Sequence, residues 1–543
     1  MLSLRMLLCD AILLASFYSP LATSAQQISS LKTSNDPAPS RTVFLDATVL
    51  DREGHPVVKG LTSKDFVITE DYRPQQVLSF EYPSIRDDGA DATTARGIEE
   101  KSRTILVLDS LNSSFQDIAF IRTSVRNYLL SQPTDLKVPT EMLVLDNNSL
   151  EMAQRYTQKR SELLQALDRE SSVVHDQEKR DSFFEDRYKS SVEALQQIAL
   201  QNKGMPGPKN IIWVGRGAPN FVVNKSIGDV APVTRYAHET SDLLLEARMS
   251  LFLVYPGIAA ENLPHGDGEL TDASTARASI VSAQSEIGAG DPFADNMNFG
   301  VFVKLTGGAI FSDQNNVPAA LERVQGNSST SYTLSYAPPE GEANGRFRRI
   351  HVTLRDPALR VSTKAGYFAP DKTGPMQAQQ QMVANLTEVA RSRLPFPALK
   401  MTIQRVVRHP DTGTVDVTTL VELANAVWLP SDNGRSATSL VIAVAGLDSR
   451  RKVITSRVES INSTAATQDA SRLAREVTRL AETIHYSQKT QNVRVVVENT
   501  ESGRMGAIEL DRKTLDAAPE APTPTPQLVQ HLHASLREPS PEQ

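Results

Sequence analysis

A doubly wound α/β domain with a mostly parallel sheet, preceded by a small β unit and followed by a β-sandwich-like domain, is the fold class this sequence predicts. Three observations carry it. Short apolar runs, as in "KSRTILVLDSLNSSF", "EMLVLD", "KNIIWVG" and "SLFLVYP", read as strands buried on both faces. Between them, apolar residues fall at helical spacing, first Ile118, Ile121, Val125, Tyr128 and Leu129, then Phe184, Tyr188, Val192, Leu195 and Ala199. After residue 395 the pattern becomes mainly β.

In chain order, residues 1–25 have the layout of a secretory signal peptide: Arg5, an apolar stretch, then Thr23 and Ala25 before the cut. A polar linker (26–41) follows, then a small β unit (42–85), in which Val43, Leu45, Ala47 and Val49 alternate and "DREGHP" turns the chain. Residues 102–370 form the α/β domain with three trailing strands, interrupted by a polar excursion at 257–295. Residues 371–394 read as a helical connector crossed by few apolar contacts, hence a protease-sensitive hinge. The β-rich C-terminal domain (395–515) carries one helical stretch near Leu473 to Ile484, and the Pro-rich tail (516–543) is expected to be disordered.

Composition removes several function classes. At 543 residues the chain exceeds a single core. A net charge of −7 gives no electrostatic footprint for nucleic acid. Cys9, the only cysteine, lies inside the leader, so the mature chain lacks disulfides, thiolate chemistry and Cys-ligated zinc. No later segment reaches the ~18 apolar residues a spanning helix needs. The protein is expected to be exported, to the periplasm or beyond, without a transmembrane segment.

Four segments are specific enough to name a family. They are "VLDREGHPVVKGLTSKDFVITEDYRPQQVLSF", "ILVLDSLNSSFQD", "GPKNIIWVGRGAPN", and the run from "LTGGAIFSDQNN" to "LRVSTKAGYFAP". With them, residues 43–369 resemble the bacterial von Willebrand factor A-related proteins, the VWFA-related acidobacterial domain family. The resemblance implies an A-type doubly wound sheet with flanking β modules. It also implies a place to look for Mg²⁺, since working A domains hold it through D-x-S-x-S with a distant Thr and Asp. Oxygen ligands suit a small hard dication.

Mapped onto this chain, the motif runs Asp109-Ser110-Leu111-Asn112-Ser113, with Leu111 where a ligating hydroxyl belongs. The turn that should supply the distant Asp reads "VGRGAPN", placing Gly215 and Arg216 there. A fixed cation at a cation site is unfavourable. No metal and no cofactor is therefore expected. Should Mg²⁺ bind, Asp109 and Ser113 would hold it. Otherwise Asp109 pairs with Arg216 or caps the following helix.

Other motifs are weaker. Asp267, Glu269 and Asp272 lack EF-hand order, His531 and His533 lie in the tail, and Gly307-Gly308 is a turn before a strand. The arginines of "RFRRIHV" are expected on the exposed face of an edge strand. The first expectation is a non-enzymatic scaffold or adhesion-type module docking a protein partner at the carboxyl end of its sheet, through Asp109, Asn112, Ser113 and Arg216. The alternatives are a Mg²⁺-dependent adhesion protein, or an accessory subunit of an envelope enzyme with Asp109 and Asp146 in one cleft.

Overall fold

The computed structural model describes residues 42–83, 102–146, 149–170, 184–218, 221–222, 231–255, 292–293, 296–297, 299–311, 317–328, 330–338, 344–369, 375–431, 434–466 and 477–521. The expected signal peptide (1–25), the linker (26–41) and most of the 257–295 excursion lie outside these residues.

The alternation at the start becomes β1 (Val43–Leu50), followed by β2 (Phe66–Glu70), β3 (Arg73–Gln75) and β4 (Ser79–Glu81). These strands do not close on themselves. Their partners come after the α/β domain: β13 (Ser331–Tyr336), β14 (Phe347–Leu354), β15 (Arg360–Ser362) and β16 (Gly366–Phe368). Two four-stranded sheets result, ordered β15-β1-β13-β4 and β16-β14-β2-β3. They share one core that includes Leu45, Ala47, Ile68, Tyr332, Leu334 and Ile350. The trailing strands thus belong with the N-terminal unit, and the α/β domain is inserted between β4 and β13. The pairing was out of sight because its partners are remote in sequence. "RFRRIHV" is corrected too: β14 lies between β16 and β2, not at an edge.

The inserted domain contains β5 (Arg103–Asp109), α1 (Phe115–Ser131), β6 (Asp135–Leu145), β7 (Leu150–Lys159), α2 (Arg160–Glu170), α3 (Phe184–Asn202) and β8 (Lys209–Val214). A ribbon of β9 (Phe221–Val222) and β11 (Asn296–Met297) stands apart from the main sheet. Completing the domain are α4 (Ala231–Glu246), β10 (Met249–Val254), α5 (Phe299–Leu305), β12 (Ile310–Phe311) and α6 (Val317–Ser328). The sheet order is β12-β10-β8-β5-β6-β7, parallel except for β7 against β6. Side chains alternate between its faces. Ile105, Val107, Leu143, Ile211 and Trp213 face α3, α4 and α5, whereas Leu106, Leu108, Met142, Ile212 and Val214 face α1, α2 and α6. Strand order reverses at β5, so the crevice of a doubly wound sheet opens past the carboxyl ends of β5 and β8.

The connector is α7 (Pro375–Arg391). It is no hinge. Leu386, Val389, Ala390, Leu394 and Phe396 are 0–2% exposed and share a core with Leu195 and Ile198 of α3 and with Val441 and Ala443 beyond. The C-terminal part has β17 (Phe396–Pro397), β18 (Met401–His409), β19 (Thr414–Glu422), β20 (Leu429–Ser431), β21 (Arg435–Leu447) and β22 (Val453–Ala466). After these come β23 (Val477–His485), β24 (Asn492–Asn499), β25 (Arg504–Asp511) and α8 (Arg512–Ala517).

A six-stranded sheet holds β17, β25, β24, β21, β20 and β22, and a second holds β18-β19-β23. Val415, Val417, Leu480, Ile442, Val495 and Leu510 fill one core between them. The helical reading near 473–484 fails over 477–484, where Leu480, Glu482 and Ile484 alternate inward with period two on β23; 473–476 lie outside the described residues. Of the expected tail, residues 516–521 are ordered against the sheet, where Ala521 N donates to Arg408 O at 2.8 Å, and 522–543 lie outside the described residues.

Candidate functional site at the carboxyl end of the central sheet

Asp109 ends β5 on the same face as Val107, which pairs with Trp213 of β8. The chain then turns, with Ser110 N and Leu111 N both donating to Leu145 O, at 2.9 and 3.1 Å. Leu111, the apolar residue in the hydroxyl position, is packed into the core at 5% exposure.

The Asp109 carboxylate is buried, at 1% exposure, and N–H donors hold both of its oxygens. Asn112 N donates to Oδ1 at 2.9 Å, and Asn112 Nδ2 reaches Oδ1 and Oδ2 at 3.1 Å each. Trp213 Nε1 donates to Oδ2 at 2.9 Å and Gly217 N at 3.1 Å. Asn112 Nδ2 also donates to Ser191 Oγ of α3, at 3.0 Å. Burial pushes the Asp109 carboxyl above the usual carboxylate range, while the bonds from Trp213, Asn112 and Gly217 pull it back.

The adjacent turn fits tightly over this group. Gly215 has φ +150°, and a Cβ there would lie 2.6 Å from Asp109 Cβ and 3.1 Å from Ser113 Oγ. Only glycine allows that approach.

Arg216 does not pair with Asp109. Its Nε donates to Asp117 Oδ2 at 3.0 Å, and its guanidinium lies 5.8 Å from the centre of the Tyr255 ring. Nor does Asp109 cap α1. Ser114 does, in a reciprocal box: Asp117 N donates to Ser114 Oγ at 3.2 Å and Ser114 N to Asp117 Oδ2 at 3.0 Å. The expected contact face is also corrected, because Asp109, Asn112 and Ser113 are 1%, 8% and 2% exposed. Surface at this end is offered by Phe115, at 61% exposure, and in part by Arg216. Asp146 does not join Asp109 in a cleft. It lines a cavity of about 430 Å³ against α3 and α7, whose walls do not include Asp109.

The donor set fits a hard dication poorly. Ser113 Oγ and Asn112 Oδ1 are buried oxygens without a hydrogen-bond partner among the described residues, as a remnant ligand shell would leave. The one carboxylate, however, already accepts from three residues, Leu111 brings no oxygen, and Arg216 is fixed one turn away by Asp117.

Sequence reasoning missed Trp213 and Gly217 as partners of Asp109, Ser191 as the partner of Asn112, and Asp117 as the partner of Arg216. One signal was available. Trp213 is one of only two tryptophans and sits two residues before the Gly215 turn on the strand adjoining β5, on the Asp109 face. A buried indole N–H needs an acceptor.

No helix among the described residues is long and apolar enough to cross a membrane. No family model matches the chain, and no curated protein matches it. Solved structures similar to it include the manganese-loaded TRAP protein of Plasmodium vivax, at 10% identity and TM-score 0.26, covering 56% of this chain and 100% of that one. Another is the VWA domain of SpRpn10, at 11% identity and TM-score 0.16, covering 32% of this chain and 99% of that one. The α/β assignment rests on the sheet itself: doubly wound, parallel but for one edge strand, with helices on both faces.

Proposed function

We propose that this chain is an exported, non-enzymatic member of the von Willebrand factor A-related proteins, whose inserted domain docks a protein partner without a bridging cation. The observation that supports this most is the Asp109 carboxylate held by Trp213, Asn112 and Gly217, so that N–H donors stand where a metal would. The docking surface is the rim above it, where Phe115 projects and the Arg216–Asp117 pair fixes the neighbouring turn. Catalysis is not part of the reading. At the His409–Asp416 contact of 2.7 Å, Thr483 donates to the carboxylate and not to the imidazole, so no nucleophile is set up there. Export rests on the leader alone.

The test is capture of partners from envelope extract by the tagged mature chain, run in EDTA and in Mg²⁺. The expected result is equal capture in both buffers and its loss in Phe115→Asp. Capture that needs Mg²⁺, or that survives Phe115→Asp, would overturn the reading.

A further inference from the structure

A second concave site lies away from Asp109, where the β7 edge of the inserted domain meets the C-terminal sheet. It is a cleft of about 690 Å³, within the range of small-molecule sites. Four arginines line it, Arg155, Arg393, Arg451 and Arg494, against one carboxylate, Glu509.

The buried part of this set is out of charge balance. Arg451 and Arg494 share Glu509: Arg451 Nη1 and Nη2 donate to its two oxygens at 2.9 and 2.8 Å, and Arg494 Nη1 donates to Oε2 at 2.8 Å. Two guanidiniums on one carboxylate leave a positive charge uncompensated where Arg494 is only 4% exposed. Arg494 Nε is itself buried with no acceptor among the described residues.

The remaining pair sits at the mouth. Arg393 meets Glu151 across 3.1 Å at the surface, and Arg155 makes no ion pair among the described residues. With Glu151 included, the cleft still carries two positive charges in excess, four arginines against two glutamates. Arg451 has a structural duty besides, since its guanidinium caps α7 by donating to Arg391 O at 2.6 Å and Ser392 O at 2.9 Å. Met152, Pro395 and Ile508 add an apolar wall.

We propose that this cleft binds a small organic anion, its carboxylate or phosphate head held by Arg155, Arg393 and Arg494 and its apolar body against Met152, Pro395 and Ile508. Guanidiniums suit planar or tetrahedral oxyanions because their donors form a fixed fork. An anion seated there offsets the surplus charge.

The test uses the full mature chain at constant ionic strength, titrated calorimetrically with hexanoate, hexyl phosphate, inorganic phosphate and neutral hexanol. The expected result is saturable binding of hexanoate or hexyl phosphate at least tenfold tighter than inorganic phosphate or hexanol, with the preferred head identifying the anion. Arg155→Ala with Arg393→Ala should weaken that binding tenfold or more and leave the melting temperature unchanged, because both side chains are exposed. Arg494→Lys, which keeps the charge but removes the fork, should weaken it as well. No saturable binding of either anion, hexanol binding as tightly, or an undiminished affinity in the double variant would overturn the site.

Discussion

Asp109→Asn changes one oxygen into an amide nitrogen at constant volume, and the geometry sets its cost. If the new NH₂ takes the Oδ2 position it faces the N–H groups of Trp213 and Gly217, 2.9 and 3.1 Å from that atom. If it takes the Oδ1 position it faces Asn112 N and Nδ2, at 2.9 and 3.1 Å, but Nδ2 keeps its bond to Oδ2 at 3.1 Å. The second placement costs less, since only Asn112 N loses its acceptor, at about 1–3 kcal/mol. Removing a carboxyl that burial has already pushed upward returns part of this, leaving a net loss of about 1–2 kcal/mol. For an inserted domain of this size that lowers the melting temperature by about 2–8 °C. The assay is a calorimetric melt of wild type and variant, in EDTA and in millimolar Mg²⁺. The loss should be the same in both, with wild type shifting little on adding Mg²⁺. A metal carboxylate behaves oppositely, because without its cation it is better neutralised. An Asn variant as stable as wild type in EDTA, together with a Mg²⁺ shift of several degrees in wild type, would refute the reasoning.

Three further outcomes are expected. Glu482, inward on β23 beside Glu459, is pushed by burial from 4.5 up to about 7, so the native state binds an extra proton between those values and stability falls as pH rises through them. Glu482→Gln should therefore stabilise by up to about 3 kcal/mol at pH 8 and by little below pH 4.5, read from urea melts at both pH values. Gly215→Ala should destabilise by about 1–3 kcal/mol through its clash with Asp109 Cβ, whereas Gly434→Ala, which meets nothing within 4 Å, suffers only its φ of +68°; paired melts compare the two. Limited proteolysis should spare 381–399, because one face of α7 and of the segment after it is buried in the shared core, and a first cut there would contradict that core.

The central sheet was legible because its strands are unbroken apolar runs, and β5, β6, β8 and β10 fall where those runs lie. β7 was not. Its sequence, "LEMAQRYTQK", is largely polar because it forms the sheet edge and half of its surface faces water. β23 deceived for a local reason, since leucine, alanine and isoleucine in "LAETIH" satisfy helical and strand spacing over so short a span. The Asp109 site was half legible. The losses at Leu111 and Gly215 could be read from the motif, but the replacement donors come from the loop after β5 and from β8 with its following turn, and only the fold brings Trp213 and Gly217 to the Asp109 carboxylate.

The insertion of the α/β domain between β4 and β13 fixes the order in which the chain can mature. Asp46 on β1 meets Thr333 on β13 across 287 residues of sequence, so β1 has no β13 until most of the inserted domain has been synthesised. At roughly 5–20 residues per second that wait is on the order of 15–60 s. During it "VFLDATVL" is an alternating strand without a sheet, the kind of segment that holdases recognise and that pairs wrongly when crowded. Arg248, just after α4, ends the wait in a defined place, since its guanidinium grips Asp46 and donates to Thr333 Oγ1 at 3.0 Å. The last strands of the β module therefore report that the domain between them has been completed, and a chain truncated within that domain presents β1 without the partner that would hide it.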